Sequence, residues 1–306
     1  RTELDIKGEI SNAAAKEVLN YRQAMQVGFE MVRKKKLLTL NVVKQIQKEL
    51  EHNNAGFRTV PGTKLKTSKG DVVYTPPQTG EEVANYMSNL EKYINTQEFQ
   101  DIDPLIKMAI IHHQFESIHP FYDGNGRTGR IISILYLVIN DLLDLPILYL
   151  SRYITHNKTE YYRLIQQIRD TAPSNFNEWE EWIVFMLKGV EETATETIRL
   201  VKSISALMAK YKSILKPLFG KQYKHELLNN LFFHPYTKIE FMERDMSVQR
   251  KTAAKYLDTI VEKTGLLQKQ KLGRSNYYIN TELMDLFVLR ANNDSDVENL
   301  IESVNA

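Results

Sequence analysis

The chain has 306 residues, enough for two domains of ordinary size, and 42% of them are hydrophobic, so a sizeable core can be buried. The net charge of +2 excludes a global field that would draw the whole chain to nucleic acid, and the absence of cysteine excludes disulfides and thiolate metal sites. No apolar run approaches the ~20 residues of a membrane span, and the charged N-terminus lacks a signal-peptide pattern. These features predict a cytoplasmic protein without a membrane partner.

The first predicted elements are two helices followed by a hairpin. Helical spacing of apolar residues extends from 12 to 36, and Thr39 is a plausible N-cap for a second helix that ends near Glu51. Two short β-prone runs, 65–67 and 72–74, flank the turn residues 68–71 and predict a β-hairpin. A surface hairpin with no further task is one interpretation of this segment.

A helix over 81–93 and a second over 104–117 come next. Asp103 is the predicted N-cap of the second helix, because Pro104 suits the first helical position. This helix carries His112 and His113 and delivers His119 at its end. The spacing of the three histidines matches no zinc pattern, so packing or capping is the favoured role for the first two.

The next twelve residues concentrate polar chemistry in one loop, with the sequence H-P-F-Y-D-G-N-G-R-T-G-R from 119 to 130. Glycines allow a close backbone approach to a ligand, and backbone N–H groups that open a helix attract anions. Arg127 and Arg130 are three residues apart, so on a helix they share a face and can grip phosphate oxygens. Asp123 offers a hard oxygen ligand for Mg²⁺, and His119 can accept a proton near neutral pH. The loop therefore predicts a phosphate-handling site with a base at its edge.

Three other interpretations of the loop were weighed. The spacing of Gly124, Gly126 and Gly129 matches a dinucleotide fingerprint, but that fingerprint needs a preceding strand, and the preceding segment here is predicted to be a helix. The lysine that a Walker sequence requires is absent. A purely structural glycine turn between two buried helices remains open on residue chemistry alone.

The whole run resembles the signature of the Fic family, H-P-F-x-[D/E]-G-N-G-R-x-x-R, with every fixed position matched. The resemblance implies a protein adenylyltransferase that moves AMP from ATP to a Ser, Thr or Tyr hydroxyl, with His119 as the base and Asp123 as the Mg²⁺ ligand. The nucleotide-binding residues that it implies are Gly124, Asn125, Gly126 and Arg127 around the anion hole, Thr128 and Gly129 in the same turn, and Arg130 on the γ-phosphate. The related Doc proteins have lysine at the position of Gly126 and transfer phosphate, so glycine favours AMP transfer.

The resemblance also gives the hairpin, at about 63–75, a task. Fic proteins have a flap in this place that docks the target segment by strand addition. The protein itself is one such target, in which case it would modify its own chain. Downstream, a cluster of tyrosines lies on a predicted helix between 151 and 170, and Tyr162 is the best candidate there for a nucleotide contact. Mostly such tyrosines are packing residues.

The remaining chain predicts a buried helix, a linker and a second domain. Nearly every residue from 131 to 139 is apolar, which indicates a helix buried on all sides. A helical linker over about 177–216 ends the first domain, 1–216. Residues 217–306 form a second domain with three helices and a hairpin, similar to a winged helix, and an acidic tail. The fold class is therefore mainly α: a Fic-type helical bundle with a flap, then a winged helix-turn-helix domain.

The second domain leaves its partner open. Ser247 is the predicted N-cap of a recognition helix over 248–263 that Gly265 ends. Basic residues lie on this helix and on the wing, namely Arg250, Lys251, Lys255, Lys269, Lys271 and Arg274, while acidic residues on the same helix dilute their charge. A DNA-binding regulator with a nucleotide-sensing Fic site is thus an alternative hypothesis, and a module for protein contacts or a homodimer is another.

Many Fic proteins carry an inhibitory helix with the pattern [S/T]-x-x-x-E-[G/N]. The sequence has no copy of it; the stretch 295–299 is one residue short, and Lys7-Gly8-Glu9 has the wrong order. We expect the motif to lie upstream of Arg1. Removal of AMP, or transfer of another group such as UMP, also stays open, because the same loop would serve each.

Overall fold

The computed structural model describes residues 13–67, 69–96, 98, 101–171, 176–273 and 275–292. The described chain is mainly helical with two small antiparallel sheets, which confirms the predicted fold class. Packing divides the chain into two compact units after Ala194. That residue lies inside a long helix. The domain boundary that we infer from sequence, between residues 216 and 217, lies later in the same helix.

The N-terminal unit contains the helices and the hairpin that precede this division. They are α1 (Ala13–Lys35), α2 (Leu40–Glu51), β1 (Leu65–Lys66), β2 (Val72–Tyr74), α3 (Gly80–Asn95), α4 (Pro104–Ile118), α5 (Asn125–Ile139), α6 (Leu150–His156), α7 (Lys158–Asp170) and the first half of α8 (Phe176–Phe219).

Local capping explains where several of these helices begin. Thr39 accepts a hydrogen bond from the N–H of Val42 and caps α2 as predicted. Thr79 and Glu82 form a reciprocal capping box at the start of α3. Asp103 accepts from the N–H of Leu105, and Pro104 occupies the first turn of α4, which confirms that prediction.

Helix α5 lies at the centre of the N-terminal unit and packs against α1, α2 and α4. Its apolar residues are almost fully buried; they include Ile131, Ile132, Ile134, Leu135, Leu137 and Val138. Burial of side chains on every face of a helix removes much apolar surface from water and fixes the helix in place. The first turn of α5, which belongs to the glycine-rich loop, therefore stands on a rigid support.

The C-terminal unit contains the second half of α8 and a set of shorter elements. They are α9 (His225–Phe233), β3 (Tyr236–Thr237), α10 (Ile239–Met246), α11 (Arg250–Thr264), β4 (Gln268–Leu272), β5 (Ser275–Ile279) and α12 (Thr281–Asn292). The sheet order is β3-β5-β4, with Lys269 opposite Tyr278 in the hairpin and Tyr236 opposite Ile279. Three helices followed by a hairpin are compatible with the predicted winged helix, and Gly265 ends α11 with a positive φ as expected.

The predicted start of α11 is wrong by two residues. Ser247 is the C-cap of α10, with a left-handed φ of 53°, and Gln249 in an extended conformation precedes α11. The serine therefore ends one helix and does not begin the next. The strand β3 and the helix α12 are further elements that the sequence analysis did not predict. Arg274, the stretch 295–299 and residues 7–9 lie outside the described residues.

Two histidines of α4 are buried in the core. The imidazole of His112 lies 2.9 Å from Ser133 Oγ and 2.8 Å from Tyr161 Oη, and His113 Nε2 lies 3.3 Å from the carbonyl of Ile165. The packing role predicted for both is thus the one observed. Burial lowers the pKa of His112 to about 3 and that of His113 to about 4, so the native protein holds both imidazoles neutral.

We expect this burial to make the protein acid-sensitive. Unfolded chains bind protons at these histidines below pH ~6.5, whereas the folded chain resists protonation down to about pH 4, so acid favours unfolding. The free energy of unfolding, measured in urea, should be constant above pH 6.5 and fall between pH 6.5 and 4 by about 1.4 kcal/mol per pH unit for each histidine. His113→Gln should reduce the slope, and the exposed His225→Gln should not; equal slopes for all three proteins would contradict this account.

Candidate functional site

The loop between α4 and α5 contains the residues of the signature. Helix α4 ends at His119, which adopts a left-handed φ of 49° while its N–H donates to the carbonyl of Phe115 at 3.0 Å. Gly124, with φ of 77°, immediately precedes α5. A left-handed conformation costs a non-glycine residue about 1 kcal/mol, so surrounding contacts must hold His119 in it.

Asn125 and Phe121 brace the loop from inside. The amide oxygen of Asn125 accepts from the N–H of Phe121 at 2.9 Å, and its Nδ2 donates to the carbonyl of Phe121 at 2.8 Å. The Phe121 ring is fully buried, 5.2 Å from the ring of Phe57. The side chain of Asn125 is therefore used for loop geometry, which leaves its backbone as the part that can face a ligand.

The imidazole of His119 is half-buried, and its Nδ1 is buried with no hydrogen-bond partner among the described residues. Burial lowers the pKa of His119 to about 4, and the positive charges of Arg58 and Arg169 act in the same direction. The imidazole is consequently neutral at pH 7, the form that can accept a proton.

Arg127 forms ion pairs with two carboxylates. Its Nη1 lies 2.7 Å from Glu17 Oε1, and its Nη2 lies 2.7 Å from Glu51 Oε1. The same Glu51 oxygen would lie 2.5 Å from a Cβ on Gly124, so the absence of a side chain at 124 allows this carboxylate to reach the loop. Burial raises the pKa of Glu51, while Arg127 opposes that shift.

Asp123 lies at the exposed edge of the loop, with its side chain 76% accessible to solvent. Its Oδ1 accepts from the N–H of Gly124 at 2.6 Å and lies 3.9 Å from Arg127. In the part of the chain that the structure describes, no group of three acids or histidines is placed to hold a metal alone. A single exposed carboxylate nevertheless suits Mg²⁺, which keeps several waters and often shares its ligands with phosphates.

Arg130 and Glu116 lie beside the first turns of α5. The Nε of Arg130 donates to Ser151 Oγ at 2.9 Å, and its Nη1 would lie 3.2 Å from a Cβ on Gly126. An oxygen of Glu116 would lie 2.7 Å from a Cβ on Gly129 and is buried without a partner among the described residues. Burial raises the pKa of this carboxyl group, against the charge of Arg130.

Two other predicted site residues lie near this turn. Thr128 is fully buried, and its hydroxyl has no partner among the described residues. Tyr162 lies on α7, with its ring 5.2 Å from that of Tyr161. Burial and the Glu116 carboxylate raise the pKa of the Tyr162 phenol, whereas Arg130 lowers it, so all three side chains belong to one neighbourhood.

Sequence reasoning missed the side chains that surround the loop. They come from distant parts of the chain: Glu17, Glu51, Arg58 and Arg169. No local pattern marks them, because each meets the loop through the tertiary fold.

The comparison with protein families agrees with the signature. Residues 37–137 match the model of the Fic/DOC family. Residues 207–283 match a model described as the C-terminal domain of SoFic-like protein adenylyltransferases. Among the described helices, none is both long enough and apolar enough to cross a membrane.

Individual relatives share part of the chain. Protein adenylyltransferase fic-1 of Caenorhabditis briggsae is 30% identical over 79 residues, which are 26% of this chain and 16% of that protein. Protein adenylyltransferase Fic of Drosophila erecta is 36% identical over 59 residues, 19% of this chain and 12% of that protein. The matches thus cover less than a fifth of the length of these curated relatives.

A solved structure shares the fold. The crystal structure of a Fic family protein from Desulfovibrio desulfuricans G20 aligns with a TM-score of 0.51 at 17% sequence identity, over 88% of this chain and 76% of that one. The two family matches and the complete signature loop identify the parts of this chain: residues 37–137 form a Fic/DOC domain, and residues 207–283 form a C-terminal domain of the SoFic-like type.

Proposed function

We propose that the protein is a Mg²⁺-dependent adenylyltransferase that moves AMP from ATP to a Ser, Thr or Tyr hydroxyl of a protein. One observation carries the proposal: the neutral, half-buried imidazole of His119 stands directly before a glycine-rich helix start that bears Arg127 and Arg130. A neutral base beside an anion-binding helix start is what transfer of a phosphate-linked group requires.

The triphosphate would bind at the start of α5. The backbone of Gly124, Asn125, Gly126 and Arg127 would line the anion hole, where the helix dipole favours negative charge. Thr128 and Gly129 would complete the turn, Arg130 would hold the γ-phosphate, and Tyr162 would contact the nucleotide. Gly126 suits this role, because the absence of a side chain there lets the guanidinium of Arg130 lie close to the first turn of the helix.

Phosphate binding requires Arg127 to exchange partners. In the absence of nucleotide its guanidinium is held by Glu17 and Glu51. We infer that the incoming phosphates displace Glu51 from Arg127.

The chemistry would be a single displacement at phosphorus. The hydroxyl oxygen of the target attacks the α-phosphorus, the bond from that phosphorus to the pyrophosphate oxygen breaks, and the hydroxyl proton passes to His119. Asp123 would hold Mg²⁺, which supplies charge neutralisation on the α- and β-phosphate oxygens when bound. Arg127 and Arg130 would stabilise the charge that develops on the departing pyrophosphate.

The β1–β2 hairpin suits a docking role. Its two strands pair with each other, and the side chains of Val72 and Val73 are about half exposed. An added strand from the target would complete the sheet and place a hydroxyl near the loop. The chain itself is one such target, and self-modification would be detected in the same assay.

A second function is favoured by the charge of the C-terminal unit. Residues 195–306 contain 17 lysines and arginines against 13 acids. Lys251 and Lys255 of α11 and Lys271 of β4 are exposed and form no ion pair within the described residues, whereas Lys269 is paired with Asp258. Three unpaired cations on the helix and wing would suit the phosphates of duplex DNA.

The adenylyltransferase proposal predicts labelling of a protein. With mixed nucleotides, Mg²⁺ and a cell lysate, the added mass on a hydroxyl side chain should be that of AMP. His119→Ala should reduce labelling by about 100-fold or more, since general-base catalysis is lost while nucleotide binding is kept. The exposed His225→Ala is the matched control. Addition of UMP, removal of AMP, or full labelling by the His119 variant would contradict the assignment.

The exchange at Arg127 predicts tighter nucleotide binding when Glu51 loses its charge. Glu51→Gln should lower the Kd for ATP by about fivefold, because a competing ion pair of roughly 1 kcal/mol is removed. Calorimetric titration measures this directly. The exposed Glu30→Gln should leave the Kd unchanged, and weaker binding by the Glu51 variant would show that the carboxylate supports the nucleotide site.

The DNA hypothesis predicts salt-dependent binding. If three lysines neutralise phosphates, the logarithm of the association constant should fall with the logarithm of salt concentration with a slope of about −3. Fluorescence anisotropy with a labelled duplex measures the slope. Lys251→Gln with Lys255→Gln should flatten it by about two, and no binding at low salt would exclude this partner.

A further inference from the structure

The C-terminal end of α4 is held by side chains from outside the helix. The last carbonyls of a helix have no partner within it and carry partial negative charge. Arg58 Nε donates to the carbonyl of His119 at 2.7 Å, and its Nη2 donates to that of Ile118 at 3.1 Å. Arg169 Nη2 donates to the carbonyl of Glu116 at 3.0 Å. Two arginines, distant in sequence, thus replace the missing helical partners directly beside the imidazole.

Burial of the Arg58 side chain costs free energy that structural support alone does not explain. Its side chain is 1% exposed, no carboxylate pairs with it among the described residues, and its Nη1 is buried without a hydrogen-bond partner. A buried charge of this kind is often no more stabilising than an apolar side chain of the same volume. Its position therefore indicates a task at the loop.

The same segment of chain connects the loop with the hairpin. The N–H of Arg58 donates to the carbonyl of Pro120 at 2.8 Å, and the next two N–H groups, of Thr59 and Val60, approach the Tyr122 hydroxyl at 3.0 and 3.3 Å. Residues 57–60 lie just before the hairpin. A partner bound to the hairpin would therefore act on the loop through these residues.

We propose that Arg58 is a positioning residue for His119: its guanidinium fixes the left-handed backbone of that histidine, its positive charge lies beside that residue, and its segment links the hairpin to the base. The proposal rests on the proposed function for its catalytic consequence. Its electrostatic part stands on the geometry of the nucleotide-free protein.

The charges around His119 favour this role. After burial itself, Arg58 is the strongest influence that lowers the pKa of His119 to about 4, and Arg169 adds to it. A backbone hydrogen bond at Glu116 and the carboxylate of Asp123 act in the opposite direction. Removal of the Arg58 charge should therefore raise the pKa, whereas a change of shape at constant charge should not.

Two variants separate charge from geometry. Arg58→Lys keeps a positive charge but loses the two-pronged donor, and Arg58→Gln loses both. The exposed Arg22→Gln is the matched control. For each folded protein, the pKa of His119 is measured by NMR without nucleotide, and kcat and KM for ATP are measured by AMP transfer.

We expect Arg58→Lys to keep the His119 pKa near 4 and to lose about 100-fold in kcat with an unchanged KM, because the base is misplaced. Arg58→Gln should raise the pKa above about 4, while burial still keeps it below the ordinary 6.5, and should move the acid limb of the pH–rate profile with it. A lysine variant with wild-type kcat, or a glutamine variant whose pKa stays near 4, would overturn the proposal.

Two further measurements keep the outcome decisive. Should Arg58→Gln fail to fold, the variant Tyr122→Phe at an exposed position tests the link between the hairpin and His119, because it frees the N–H groups of Thr59 and Val60. A lower kcat supports this link, and a wild-type kcat overturns it. Should the wild-type protein label no target, the proposed function fails, and the NMR comparison still tests the part played by Arg58.

Discussion

The arrangement at the end of α4 is the constraint on which the site depends. A helix that stops at His119 leaves carbonyls without partners and a non-glycine residue in a left-handed conformation. Arg58 and Arg169 satisfy those carbonyls, and the amide of Asn125 fixes the following turn at Phe121. Without these contacts the histidine would not be held at the start of α5, and neither helix would present its end to a common ligand.

The same contacts set the electrostatics. Burial lowers the pKa of His119, and the two guanidinium groups beside it add to this effect, so the imidazole is neutral and able to accept a proton. At the other side of the loop, the charge of Arg127 is balanced by Glu17 and Glu51. The loop thus has a neutral base on one side and, on the other, an arginine whose partners are carboxylates.

Much of the fold follows from local sequence. Thr39, Asp103 with Pro104, and Gly265 mark helix ends through capping and backbone preferences, and each was predicted correctly. Ser247 has the same capping chemistry but accommodates the left-handed turn after α10, because Gln249 in an extended conformation leads into α11. A short polar residue suits both ends of a helix, and the sequence alone does not distinguish them.

The composition of the loop was also evident from sequence, since the signature is continuous from 119 to 130. Its surroundings were not. Glu51 and Arg58 precede the residues they contact by 76 and 60 positions, and such contacts arise when α2 and the hairpin pack beside α5 and the end of α4. They decide which charges the loop meets, and they depend on the whole N-terminal unit.

The central claim is that the loop holds the triphosphate of a nucleotide beside His119. A crystal structure with a non-hydrolysable ATP analogue and Mg²⁺ tests it most directly. The account predicts phosphates at the N-terminus of α5, Arg127 released from Glu51, and the α-phosphate next to the imidazole. Phosphates bound elsewhere, with the Arg127 ion pairs intact, would contradict it.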